Sequence, residues 1–118
     1  MRTQWIALTA VAILAAASPA VARDEAPEGG AWTECQVSSI TAYRDRLVVK
    51  CSGMAGGEAP REFAVELVDR MAELVLRLSI EAKGRARPLN VLYVKSASAN
   101  PAGCAAEGCR RVAGVELK

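Results

Sequence analysis

The stretch Asp69–Lys83, DRMAELVLRLSIEAK, decides how the rest of the chain is read, and it has the periodicity of a single helix. At about 100° per residue, Met71, Leu74, Val75, Leu78 and Ala82 fall on one stripe, as in a core-facing helix. Ala72, Leu76 and Ile80 fall on a second stripe, turned from the first by roughly a third of a turn. Arg70, Glu73, Arg77 and Glu81 are left a narrow charged strip, in which Glu73–Arg77 and Arg77–Glu81 are opposite charges four apart. Asp69 suits the N-cap or first turn, Lys83 complements the C-terminus, and Gly84 suits the left-handed position beyond it. A helix on one sheet needs one apolar stripe, and leaving Leu76 and Ile80 in water forgoes roughly 1.5–3 kcal/mol each. Either loops of the same chain or another copy of the protein must cover them. Ala72, Leu76 and Ile80 are therefore the candidate oligomer interface.

Strand patterns flank the helix on both sides. Immediately before it, Arg61–Leu67, REFAVEL, alternates Phe63, Val65 and Leu67 on one face. After it, Gly84 to Pro88 turns the chain into Leu89–Lys95, LNVLYVK, an almost continuous apolar strand suited to a central position. Further upstream, Gln36–Tyr43 and Arg46–Cys51 read as a hairpin with Arg44-Asp45 as its turn. Val112–Leu117, VAGVEL, reads as the last strand, with Gly114 at a bend. The order strand, strand, strand, helix, strand, strand predicts an α+β, mainly β fold: a five-stranded OB-like barrel with one amphipathic helix between strands 3 and 4. Such barrels commonly hold oligosaccharides or oligonucleotides on one face and its loops.

The chain has the marks of an exported protein. Arg2 gives a short positive start, Trp5 to Ala17 is apolar, and Ala20-Val21-Ala22 is an A-x-A cleavage signature. The apolar run is too short for an ordinary membrane span and no later segment qualifies. Cleavage after Ala22 takes 22 of 118 residues and leaves 96. Residues 1–22 are thus expected to be a signal peptide, 23–31 (rich in Gly, Pro and charge) a flexible leader, and 32–118 one domain. So small a core calls for staples. Cys35, Cys51, Cys104 and Cys109, an even number in an exported chain, supply a disulfide framework.

Three pairings of four cysteines are possible, and the expected one is Cys35–Cys51 with Cys104–Cys109. A two-residue turn at 44–45 sets Cys51 opposite Ser38 rather than Cys35. A bulge at Ser38-Ser39, where the apolar parity switches from Val37 to Ile40, brings Cys35 closer. A four-thiolate zinc site normally needs two close C-x-x-C pairs, and the first two cysteines are too far apart for one. Trp32, beside Cys35, reads most simply as a plug on the disulfide; the other reading is an exposed ligand platform.

Charge and composition exclude more than they assign. Cleavage removes one of 15 Lys+Arg, leaving 14 against 13 Asp+Glu, a net charge of +1. A general nucleic-acid binder needs a strong basic excess. There is no histidine, so Ser-His-Asp or Cys-His nucleophile systems and histidine–zinc centres are out. GMAGGE precedes a strand rather than a helix and is no phosphate cradle. Glu62 and Glu66 share a strand face and remain a formal carboxylate pair, more simply read as a solvated face. No catalytic, cofactor-binding or metal site is expected.

The export signal, Cys35…Cys51, the helix before PLNVLYVK and the late ring GCAAEGC together resemble the receptor-binding B subunits of bacterial A–B toxins, those of the subtilase cytotoxin type most of all. RRVAGVELK is similar to the last strand of small exported bacterial proteins of the same pattern. The resemblance spans residues 32–118 and implies an OB-fold, ring-shaped pentamers lined by the helices, and glycan binding on the outer barrel. It carries over no sugar-binding residue. Two expectations follow: a periplasmic or secreted, homo-oligomeric, non-enzymatic module that binds a glycan or protein surface, or a monomeric periplasmic stress or enzyme-inhibitor protein.

Overall fold

Alternating and β-branched segments do form five strands around the helix. The computed structural model describes residues 28–52, 60–104 and 107–118. The expected signal peptide, the expected leader as far as residue 27 and residues 53–59 of the following loop lie outside the described residues. The elements are β1 (Gly30–Ala42), β2 (Arg46–Ser52), β3 (Glu62–Glu66), α1 (Met71–Arg85), β4 (Leu89–Val94) and β5 (Cys109–Glu116). Hydrogen-bonded neighbours run β1-β2-β3-β5-β4, and β4 pairs back onto β1, so the strands form a barrel. All pairings are antiparallel except the short one between β3 and β5.

Strand β1 serves two neighbours. Its first half, Gly30–Cys35, pairs with β4, and its second half, Gln36–Ala42, pairs with β2. The register slips between Val37 and Ser39, which leaves Ser38 as the extra residue of a bulge. The Ser38 hydroxyl donates to the Lys50 carbonyl at 3.1 Å. The bulge moves Cys51 opposite Val37, and the expected bridge Cys35–Cys51 forms with its Cα atoms 5.2 Å apart. Cys104–Cys109 forms as well, so every cysteine is bridged. Pairing starts at Gly30, two residues before the expected domain start, which puts Trp32 inside β1 opposite Leu92. Three residues along a strand from Cys35, Trp32 lies on the opposite face. It is exposed, not a plug on the disulfide.

The core is the barrel interior, capped by α1. Phe63, Leu89, Val49, Val65, Val75 and Val91 are its largest fully buried side chains, and Tyr93 packs against Phe63 with ring centroids 5.7 Å apart. The helix is set on that core differently from its expected face. Ala72, Val75, Ser79 and Ala82 are buried, with Met71 and Leu78 packed beside them, whereas Leu74 is 50% exposed. The buried face is turned by roughly 50° from the one with unbroken apolar spacing. Small residues decide the rotation: Ala72, Ser79 and Ala82 let the helix backbone approach the barrel, and Leu74 is displaced outward. Leu67 likewise falls past the end of β3 and is exposed, rather than inward with Phe63 and Val65.

The helix ends also differ in detail from the sequence reading. The Asp69 carboxylate accepts from Met71 N–H at 2.9 Å and its carbonyl from Ala72 N–H, so Asp69 does cap the first turn. At the other end Gly84 is helical, and Ala86 takes the left-handed position with φ 55°. Arg87 N–H reaches Ala82 O at 2.9 Å to close the turn, and Pro88 follows. Glu73 pairs with Arg77 at 2.9 Å as expected, while Glu81 pairs forward with Arg85 at 2.7 Å. The Ser79 hydroxyl is buried with no hydrogen-bond partner among the described residues. Ser79→Ala removes that orphan group and should raise stability by about 1 kcal/mol. The thermal midpoint reads it: a rise of several degrees is expected, and a fall would mean that the hydroxyl has a partner.

Candidate functional site

Two surfaces combine side chains from distant parts of the chain. One is polar and largely engaged. On the outer face of β2 and β3, Val48 and Ala64 are buried beneath the Cys104–Cys109 ring, which is why this strand pair lacks a clean inside–outside alternation. The Arg46 guanidinium stacks on the Tyr43 ring at 4.1 Å and pairs with Asp45 at 3.0 Å. It also fills the space where a side chain at Gly103 would stand, and Gly103 has φ 87°. Glu66, half of the formal carboxylate pair, is taken by Arg111 at 3.1 Å. Arg111 also donates through Nε to the Ala99 carbonyl. These contacts tie the 96–109 loop to the barrel wall. Each charged side chain named here has an ionic or ring partner, although the buried Nε of Arg46 has no hydrogen-bond partner among the described residues, and this surface reads as a clasp.

The other surface is apolar and open. A groove of about 300 Å³ lies between the first half of α1 and the end of the β1–β2 hairpin. Ile40, Ala42 and the buried Leu47 form its hairpin side, and Ala72, Leu76 and Glu73 its helix side. Leu67 closes it from the β3–α1 connection. That connection is fixed by hydrogen bonds: Leu67 N–H donates to the Asp45 carbonyl at 3.0 Å and Asp69 N–H to that of Glu66 at 2.9 Å. The groove is thus shaped by backbone held on three elements. Leu76 in its lining is 37% exposed, Val68, next to Leu67 in the chain, is 92% exposed, and Ile80, one helical turn from Leu76, is 55% exposed.

The sequence-derived interface divides accordingly. Leu76 and Ile80 stand on the open flank of the helix, one turn apart, as their stripe required. Ala72, the third residue of that stripe, is 8% exposed and lies in the core at the base of the groove. Compared with protein-family models, curated proteins and solved structures, the chain matches none. The site must be read from its own geometry. Among the described residues no three His, Cys, Asp or Glu side chains cluster as metal ligands, and no helix is long and apolar enough to cross a membrane. The contribution of Ile40, Ala42 and Leu67 was not foreseen. The only sequence signal for it was the near absence of a linker between the third strand and the helix, which forces Leu67 out at the hairpin end.

Proposed function

We propose that the protein is an exported, non-enzymatic binding module of OB-like architecture, which associates with copies of itself and recognises a glycan or protein surface. The observation that carries this reading is the apolar groove, lined in part by the exposed Leu67 and Leu76, with Val68 exposed next to Leu67 in the chain and Ile80 exposed one helical turn from Leu76. Exposed apolar side chains gathered at one concave place mark an association site, whereas single ones scattered over a surface do not. The strand order with α1 between β3 and β4 supports the OB-like reading, and two disulfides in a small domain are compatible with export.

The test exploits the exposure of the helix flank. Leu76→Glu with Ile80→Lys should leave each barrel folded, since both positions are open in the single chain, yet bury charges at any interface formed there. The wild type should have the mass of more than one copy by light scattering. The double variant should have the mass of one, with an unchanged far-UV circular dichroism spectrum. A monomeric wild type defeats self-association and favours the alternative, a monomeric periplasmic stress or inhibitor protein that offers the same groove to an enzyme. An assembly that survives both changes is held by another surface.

A further inference from the structure

The open flank of α1 carries a pattern that specifies its partner. On a helical projection Lys83, Leu76, Ile80, Glu73 and Gly84 share the flank beyond the buried face, within about 100° of arc. Along the axis they run Glu73, Leu76, Ile80, Lys83: acidic at the N-terminal end, apolar in the middle, basic at the C-terminal end. Glu73 and Lys83 stand equally far from the midpoint of Leu76 and Ile80. A sequence of this kind is complementary to itself when reversed.

From this we infer that the occupant of the groove is a second copy, docked through α1 about a two-fold axis with the two helices antiparallel. The inference rests on the self-association proposed above and gives it a geometry. In an antiparallel pair centred between Leu76 and Ile80, Ile80 of each copy meets the other's Leu76, which lines the groove, and so seats at that groove. Lys83 of each copy meets the other's Glu73, which also lines it. The four contacts repeat by symmetry, so one patch is covered twice. Gly84 supports the same arrangement. It stands inside the helix, where glycine is unfavourable, its backbone needs no left-handed conformation, and a Cβ there would meet nothing within 4 Å. Nothing among the described residues of one chain requires a glycine there. In the pair, Gly84 comes level with the other copy's first helical turn, and its lack of a side chain lets the helices close there.

Charge exchange tests the geometry on the full, disulfide-oxidised protein by sedimentation. Glu73→Lys alone and Lys83→Glu alone each set like charges opposite one another at both ends of the pair. Each should weaken the dimer about tenfold or more. The double variant Glu73→Lys/Lys83→Glu restores opposite charges and should recover wild-type affinity, and so should an equimolar mixture of the two single variants. Gly84→Leu should weaken the dimer while each helix, by circular dichroism, remains intact. A wild-type dimer indifferent to all these changes overturns the antiparallel arrangement and leaves self-association standing. An assembly of more than two copies does the same. A wild-type monomer overturns both.

Discussion

Protein in which Cys35 and Cys51 are both replaced by alanine should lose about 3 kcal/mol of stability, the loop-closure value for a bridge of this span. The two residues are 16 positions apart, and their sulfurs lie in the core cluster, Cys35 fully buried. For a domain of this size the thermal midpoint should fall by on the order of 15 °C. The Cys104–Cys109 bridge spans only 5 positions and constrains the unfolded chain less. Its removal should cost roughly 1 kcal/mol less on the same reasoning. It would also loosen the cover over Val48 and Ala64. Thermal unfolding of the two double variants, each with its other bridge intact, decides the order. A larger loss from the 104–109 variant would show that the cover over the outer wall matters more than the hairpin staple.

The orientation of α1 gives the second large effect. Val75 is 1% exposed and sits against the barrel interior, so Val75→Asp places an unpaired carboxylate in the core. That penalty is several kcal/mol, comparable with the whole stability of a domain of this size, and the chain should fail to fold. Leu74, its neighbour, is half exposed, and Leu74→Gln should change stability by no more than about 0.5 kcal/mol. Denaturant midpoints and far-UV circular dichroism measure both. A severe loss from Leu74→Gln with a mild one from Val75→Asp would return the helix to the face with unbroken apolar spacing.

This contrast shows where the sequence was legible. Strand and helix order, the hairpin turn, the bulge at Ser38 and both disulfides could be read, because each leaves a local mark: alternation, a parity switch, or a cysteine count. The helix face could not be read to better than about half a side-chain step. Hydrophobicity alone ranks Leu74 above Ser79, but a helix packed closely on a barrel selects for small volume, and Ser79 is buried at the contact. Trp32 was misplaced for a related reason. Its nearness to Cys35 in sequence suggested contact, whereas strand pairing with β4 sets the two on opposite faces. Leu76 and Ile80 were legible as an uncovered pair. The groove beside them was not, since it is completed by Ile40 and Leu67 from elements whose approach only the tertiary fold creates.

The divided allegiance of β1 also sets a timetable for closing the barrel. Gln36 meets Ser52 across 16 positions, whereas Cys35 meets Leu89 across 54. Loop closure over the longer span costs about 1 kcal/mol more, and distant pairings form more slowly than near ones. The hairpin half of the strand can therefore zip while the β4 half waits for α1 and β4 to arrive. Cys35 is the last β1 residue paired with β4, adjoining the place where the two halves meet, and its bridge to Cys51 ties it to β2 of the early hairpin. Oxidation after hairpin formation thus holds the pivot of the strand in place, and the final search, for β4, starts from an end already fixed.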